Sequence, residues 1–172
     1  MMLGFQEEGH PLPPQIVIRS YSAKDDHEVI PSIYERSFGE PPWPHDWEQF
    51  DEFDAKGMFV AEDVQREQVV GYVISFKRRD HGYLSVLAVL PEYHRRGIGS
   101  ALVKTAIDYL RGKGLEVIMV DAPADSPAAV AVYRKAGFYI EKTFEDDYEI
   151  PEAEQSRKTD TEDRATHSPD AI

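Results

Sequence analysis

Hydrophobic residues along the chain follow two spacings, one typical of strands and one typical of helices. Short apolar runs, alternating or nearly continuous, predict strands at Gln15–Tyr21, Met58–Ala61, Val69–Phe76, Tyr83–Leu90, Leu115–Val120 and Phe138–Thr143, with a short addition at Tyr148–Ile150. Apolar residues recurring every three or four positions predict helices at Ala23–Ser37, through Phe50 and Phe53, from Gly97 to Gly112, and from Ser126 to Ala136. This order predicts an α/β sandwich in which about four helices cover a mixed, mainly antiparallel sheet of six to seven strands.

The ends of the predicted helices carry their own signals. Ser22, with Asp25 three residues later, predicts a capping box, and Pro31 must either kink the first helix or start a new one. Ser126 before Pro127 predicts an N-cap and a first helical residue, and Gly137 predicts a left-handed C-cap.

The composition divides the chain into three parts. Residues 1–14 are polar and rich in proline, which predicts a flexible leader. Residues 15–150 contain the predicted strands and helices and form one domain. Residues 151–172 hold one strong hydrophobe, Ile172, among charged and polar residues, which predicts a disordered acidic tail.

Charge and residue types exclude several classes of function. The net charge of -13 argues against binding to nucleic acid or to anionic membranes, and it suits a cationic acceptor or serves solubility alone. There is no cysteine, which excludes disulfides and a thiol nucleophile, and the six histidines show no metal-ligand spacing. No apolar run approaches the roughly 18 residues of a membrane span, and no secretory signal is seen. We therefore expect a soluble cytoplasmic protein.

The segment His94 to Ala101 joins a predicted strand to a predicted helix. Two arginines, Arg95 and Arg96, precede Gly97 and Gly99 at the helix start. A helix N-terminus presents unpaired amides and a positive dipole end, and glycine allows a phosphate to approach them. The spacing matches neither a Walker loop nor a GxGxxG fingerprint. The alternative interpretation is a glycine-rich helix start with solvated arginines.

Two blocks of sequence resemble the GNAT superfamily of N-acetyltransferases, over roughly residues 15–150. The segment from Leu87 to Leu102 is similar to the acetyl-CoA motif, and Ser126 to Phe138 is similar to the block Asn-x-x-Ala-x-x-x-Tyr-x-x-x-Gly-Phe. The resemblance implies the GNAT fold, with central strands that splay apart, and acetyl-CoA as cosubstrate. It also implies direct transfer of the acetyl group to a primary amine.

The resemblance also assigns residues to the cosubstrate. The backbone of Leu87 and Val89 would pair with the pantetheine arm between the strands that end at Val89 and Val120. The residues whose amides would hold the pyrophosphate are Arg95, Arg96, Gly97, Ile98, Gly99 and Ser100. His94 stands where the family usually has Gln. Ser126 stands where it usually has Asn, and the resemblance assigns it a side-chain contact to pantetheine.

Tyr133 and Asp121 are the candidate catalytic residues. In the family the tyrosine at the position of Tyr133 approaches the CoA sulfur as general acid, whereas the alternative is a buried core aromatic. Asp121 lies five residues before Ser126, where protein N-terminal acetyltransferases carry a glutamate base. Its alternative is a turn residue at a strand end. Other candidates for the base at the same sheet edge are Glu116, Tyr83 and Ser85.

The acceptor is expected to meet the loop that begins at Phe38. Phe38 and Trp43 offer packing surfaces and Glu40 or Asp46 offers a carboxylate for an ammonium, and a Pro-Trp pair here resembles the protein N-terminal acetyltransferases. The loop is otherwise a hydrophobic lid. A protein N-terminus or lysine and a small amine remain open as acceptors, beside a non-catalytic domain that binds acetyl-CoA and a phosphate-binding domain unrelated to CoA. We expect no nucleic-acid or membrane partner, and a homodimer as in many relatives.

Overall fold

The computed structural model describes residues 11–39, 54–122 and 126–141. Within them, five strands form one sheet in which the spatial order equals the chain order. The first four strands are antiparallel neighbours, and the fifth runs parallel to the fourth. The strands are β1 (Ile16–Ser20), β2 (Met58–Asp63), β3 (Gln68–Arg78), β4 (His81–Val89) and β5 (Ile118–Val120).

Four α-helices accompany the sheet in the described part of the chain: α1 (Ala23–Asp26), α2 (Ile30–Phe38), α3 (Ile98–Gly112) and α4 (Pro127–Lys135). Pro31 starts a new helix rather than kinking the first, because its ring occupies the first turn of α2, where no amide hydrogen bond is needed. Two short 3-10 turns, Ala55–Gly57 and Pro91–Tyr93, precede β2 and follow β4.

The helix caps differ from the predicted ones in one respect. Ser22 and Ser126 both occupy N-cap positions, but neither side chain bonds to an amide of its helix. The Ser22 hydroxyl binds the carboxylate of Asp25 instead, and the Ser22 amide donates to Asp26. At both sites the prediction of the N-cap position is confirmed and the prediction of the capping hydrogen bond is wrong.

The core lies between the sheet and α3. Leu102, Ala106 and Leu110, spaced at four-residue intervals on α3, are completely buried against strands whose apolar side chains face them. Leu12, near the end of the predicted leader, packs against the same core. No helix in the described ranges is long and apolar enough to cross a membrane.

The contact between β4 and β5 opens after three residue pairs. β5 pairs only with Gly82–Leu84, so the rest of β4, from Ser85 to Val89, has no strand on that side among the described residues. The register with β3 shifts at the same point, since Ile74 pairs with Val86 and Ser75 with Leu84, which leaves Ser85 as a bulge. The predicted splay of the central strands therefore has a defined origin next to Leu84.

The last predicted strand is not formed where the structure describes it. Residues 138–141 are not in a strand, and the side chains of Tyr139 and Ile140 are 83% and 59% exposed. Alternating hydrophobicity predicts a strand only if a neighbouring edge accepts its hydrogen bonds, and these residues have no strand partner in the described part. The sheet accordingly has five strands there rather than six to seven; the segments through Phe50 and Phe53 and at 148–150 lie outside the described residues.

Candidate active site

The turn between β4 and α3 presents a row of backbone amides without protein acceptors. Arg95 and Gly97 both adopt left-handed backbone conformations, with φ of 59° and 78°. Alternation of this kind turns successive N–H groups toward one side, which makes a concave anion site. The first bond of the helix runs from the Ala101 amide to the Gly97 carbonyl, and no side chain caps α3. In the described part of the chain the amides from Arg95 to Ser100 donate to no protein acceptor.

Gly99 leaves space above these amides that the protein itself does not require. A methyl group built on Gly99 would lie 3.9 Å from Leu87 Cδ2 and 4.0 Å from Cγ2 of both Val89 and Val132. These are ordinary van der Waals distances, and the φ of Gly99 is not in the left-handed region. Packing therefore tolerates an alanine here, and the missing side chain keeps the approach to the amides open.

The open edge of β4 leads directly to this turn. The Leu90 amide donates to the Val70 carbonyl, so in the antiparallel register with β3 the backbone groups of Leu87 and Val89 point the opposite way. They point toward the side of β4 on which β5 pairs with Gly82–Leu84 but not with Leu87 or Val89. Among the described residues, no strand pairs with the backbone of Leu87 and Val89 on this side, along a path that ends at Gly99.

One of those backbone groups is already occupied. The carbonyl of Val89 accepts a hydrogen bond of 2.7 Å from Nε2 of His94 and one of 3.3 Å from the buried Ser37 hydroxyl. Because a carbonyl only accepts, Nε2 of His94 carries its hydrogen. The Val89 amide and both backbone groups of Leu87 have no backbone partner in the part of the chain that the structure describes. A glutamine side chain also offers an N–H donor. A Gln at this position, usual in the resembling family, is therefore able to donate to the Val89 carbonyl as His94 does.

We expect His94→Ala to weaken acetyl-CoA binding roughly tenfold, because the Val89 carbonyl loses its strongest donor and the turn its tie to β4. His94→Gln, which restores an N–H donor, should bind within about twofold of the wild type. Equilibrium binding followed by calorimetry measures both variants. Equal weakening in both, or in neither, would contradict this positioning role.

Further contacts fix the turn in place. Tyr93 is buried and its hydroxyl donates to Asp63 over 2.9 Å, while the guanidinium of Arg96 stacks on the Tyr93 ring at 4.9 Å and donates to the Glu92 carbonyl. Burial raises the pKa of Tyr93, as does its bond to Asp63. Arg96 is thus turned back onto the protein, whereas the side chain of Arg95 is exposed beside the free amides.

Tyr133 lies on α4 next to this region. Val132, its neighbour in sequence, borders Gly99, and the ring of Tyr133 contacts Phe138 edge to face at 5.8 Å. Tyr133 is 7% exposed, and burial raises its pKa to about 12. Burial is the one cause of this shift, and no hydrogen bond joins its hydroxyl to any residue that the structure describes. It therefore keeps its proton at neutral pH and is available to donate it.

Asp121 follows the end of β5 and meets β4 at Tyr83. The Tyr83 hydroxyl donates to Oδ2 of Asp121 over 2.7 Å, which joins two of the candidates for the base in one pair. The structure connects Asp121 to Tyr83 and Tyr133 to Phe138, and no hydrogen bond among the described residues links Asp121 with Tyr133.

The remaining predicted residues fall partly outside the described ranges. Phe38 ends α2, where its ring contacts Tyr34 at 4.6 Å and packs partly buried against the core. Glu40 and Trp43 lie outside the described residues. Ser126 is buried at the start of α4, with a capping role through its carbonyl only. The described residues contain no cluster of His, Asp and Glu suited to a metal ion.

Two contacts of the site were not predicted. The bond from His94 to Val89 joins residues five apart, and the bond from Tyr83 to Asp121 joins adjacent strands. The sequence partly indicated the contact of Tyr83 with Asp121, because both residues were candidates for the base at the same edge of the sheet.

Comparisons with known proteins place this site in context. Residues 27–138 match the model of the family described as Acetyltransferase (GNAT) family. A mycothiol acetyltransferase of Saccharomonospora viridis is 30% identical over 152 residues, which are 77% of this chain and 48% of the relative. This chain spans about half the length of the curated relatives that it matches first.

Solved structures agree with the family match. The ribosomal-protein-S18-alanine N-acetyltransferase from Escherichia coli superposes with a TM-score of 0.63 at 25% identity, over 74% of this chain and 79% of that one. The NatC complex, solved with Gag peptide and CoA bound, superposes with a TM-score of 0.62 at 21% identity, over 74% and 87% of the respective chains.

Proposed function

Since the chain belongs to the acetyltransferase (GNAT) family, we propose that it transfers the acetyl group of acetyl-CoA directly to a primary amine. The match confirms the family predicted from the sequence, and it supports the N-acetyltransferase class and acetyl-CoA as cosubstrate. The observation that carries the proposal for this chain is the row of free amides from Arg95 to Ser100, under the open space at Gly99, at the end of an unpaired strand edge.

The residues present fit the cosubstrate. The amides of Arg95 to Ser100 would hold its pyrophosphate, with the positive end of α3 behind them. The free groups of Leu87 and Val89 would take the pantetheine amides in the manner of an added strand. When bound, acetyl-CoA supplies a thioester whose acyl carbon an amine attacks.

The groups that move protons lie on both sides of the opened strands. The acceptor ammonium must lose a proton before its nitrogen attacks. We assign the Asp121 carboxylate, which the Tyr83 hydroxyl orients, to accept this proton directly or through water. The CoA thiolate that leaves must gain a proton. Tyr133 is the group we assign to donate it, because its raised pKa keeps the phenol protonated.

The relatives support two classes of acceptor. The ribosomal-protein-S18-alanine N-acetyltransferase supports the N-terminus of a peptide or protein, and the mycothiol acetyltransferase supports a small molecule. We place the peptide N-terminus first, because it agrees with the acceptor loop predicted from the sequence, and we retain the small amine as the second candidate.

The function is tested with purified protein, acetyl-CoA and a panel of peptide N-termini, lysine peptides and small amines. CoA release and the mass of the acetylated product are measured together. For at least one primary amine, we expect repeated turnover in which CoA and acetylated product form in equal amounts. Tight binding of acetyl-CoA without turnover on any member of the panel would instead support a non-catalytic domain.

We expect Asp121→Asn to lower kcat/KM about a hundredfold at pH 7 with acetyl-CoA affinity unchanged, since a general base contributes roughly 10²–10⁴-fold. Tyr83→Phe should cause a smaller loss, because it removes the group that orients the carboxylate and leaves the carboxylate itself. Steady-state rates between pH 6 and 10 measure both. Full activity of Asp121→Asn across that range would exclude Asp121 as the base.

A further inference from the structure

A second pocket lies at the opposite end of β4 from the free amides. It has a volume of about 220 Å³ and lies where the hairpin between β3 and β4 meets the end of β5. The residues that line it are Arg78, Arg79, His81, Tyr83, Met119 and Asp121. Tyr83 in the pocket and Leu87, which borders Gly99 of the amide turn, are four residues apart on β4. At about 3.3 Å per residue, this separates the pocket from the amide turn by roughly 13 Å. The phosphates held by that turn therefore do not reach it.

The charge of this pocket contrasts with that of the whole chain. The protein carries a net charge of -13, yet Lys77, Arg78 and Arg79 are three consecutive cations at the hairpin. Three other arginines in the described part, Arg19, Arg36 and Arg66, each pair with a carboxylate.

The two arginines of the pocket have no such partner. Arg78 and Arg79 are exposed and form no ion pair with any carboxylate that the structure describes. Arg78 is held over the ring of Tyr83 at 5.2 Å, which keeps its guanidinium at the pocket. Asp80, the nearest acid in sequence, has a side chain that is 96% exposed and bonds to His81. Among the described residues, the pocket thus holds two guanidinium groups that no carboxylate binds directly, with only an electrostatic interaction between Arg79 and Asp80.

The same pocket contains the pair assigned to the base. Tyr83 and Asp121 line it together with the two arginines, so one concavity offers a carboxylate for an ammonium and guanidinium groups for an anion. Guanidinium groups bind carboxylates through paired N–H donors, a geometry that a single amine does not satisfy. An acceptor with charges of both signs complements this arrangement.

We propose that the acceptor is a primary amine carrying a carboxylate close to the amine, and that Arg78 and Arg79 bind this carboxylate while Asp121 meets the amine. This inference rests on the proposed acetyl transfer and narrows its substrate class. An acidic residue just after a peptide N-terminus and a small amino acid both supply that chemistry.

Matched acceptors test the proposal and distinguish the two sources. One pair consists of peptides beginning Ser-Glu-Glu and Ser-Gln-Gln and otherwise identical; the other consists of 4-aminobutyrate and its amide. We expect kcat/KM for the carboxylate member of at least one pair to exceed that of the amide member about tenfold or more, mostly through KM. A preference in the peptide pair points to acidic N-termini, and one confined to the small pair points to a free amino acid.

Arg78→Gln and Arg79→Gln should each bring that ratio toward one. Lys77→Gln is the matched control, because it removes the same charge from the adjacent position, which does not line the pocket. It should retain the ratio, whereas an effect of net charge alone would lower the ratio equally in all three variants. Loss in Lys77→Gln equal to that in Arg78→Gln would overturn the proposal.

Binding of the same pairs is measured by calorimetry with CoA present, so that the carboxylate preference is decided even without turnover. Tighter binding of a carboxylate member that Arg78→Gln abolishes supports the anion site. If no acceptor is turned over, the proposed acetyl transfer is overturned, and the binding measurement alone decides the carboxylate proposal. Equal rates and equal binding within both pairs would overturn the carboxylate proposal and leave the acetyl transfer intact.

Discussion

Gly99→Ala is expected to weaken acetyl-CoA binding about a hundredfold while the folded protein keeps its stability. The added methyl group lies 3.9 to 4.0 Å from its nearest protein neighbours, so it fits the protein. It would stand beside Leu87 and Val89, on the side where we propose that the cosubstrate binds. Loss of two charge-assisted hydrogen bonds, at about 1.5–3 kcal/mol each, accounts for a change of at least this size. Alanine is also the better helix former, by roughly 0.5–1 kcal/mol.

The two effects separate in one pair of measurements. Calorimetry gives the affinity for acetyl-CoA, and urea unfolding without ligand gives the free energy of unfolding. Gly112→Ala is the matched control, because Gly112 lies in the same helix and a methyl group there meets nothing within 4 Å. It should bind acetyl-CoA like the wild type. Unchanged affinity in Gly99→Ala would show that the space at Gly99 does not serve the cosubstrate.

Tyr133→Phe is expected to lower kcat by about 10²–10⁴-fold with the affinity for acetyl-CoA unchanged. The Tyr133 hydroxyl has no hydrogen-bond partner among the described residues, so its removal leaves no polar group unpaired and the fold should tolerate phenylalanine. Tyr72→Phe removes the hydroxyl of another buried tyrosine, on β3, and serves as the control. Turnover in Tyr133→Phe equal to that of the Tyr72 variant would exclude Tyr133 as the acid.

The pKa of Tyr133 gives this prediction a pH dependence. Burial raises the pKa from about 10, its usual value, to about 12, so the phenol stays protonated as the pH rises through the neutral range. The proton is lost only as the pH passes through 12, and the stability linked to it is complete below about 10. Between pH 6 and 10, kcat of the wild type should therefore show no alkaline decline arising from Tyr133. A decline of kcat in this range that Tyr133→Phe abolishes would contradict the raised pKa of Tyr133.

The features that the sequence predicts well are those with local causes. The strand β4 and the helix α3 on either side of Gly97 are predicted from the spacing of their apolar residues. Pro31 had two possible outcomes, and its place in the first turn of α2 decided between them. In each case the residue and its structural effect are neighbours in the chain.

The features that the sequence does not predict depend on groups brought together by the fold. Tyr139 and Ile140 have the alternation of a strand, but a strand also requires a partner edge. The bond of Tyr83 to Asp121 and that of His94 to Val89 depend on where β4 bends away from β5. The charged run from Lys77 to Arg79 was visible in the sequence, but only the structure shows that it borders the candidate base.

The unpaired edge of β4 also has a consequence for the protein without ligand. A row of unpaired backbone groups on an apolar strand is a template on which another chain is able to add a strand, and this is a common start of aggregation. The bulge at Ser85 interrupts the regular register and limits that risk, but Leu87 and Val89 lie beyond it. If the cosubstrate pairs with these residues as we propose, it occupies the edge in place of a strand, and we expect added acetyl-CoA to slow aggregation of the protein.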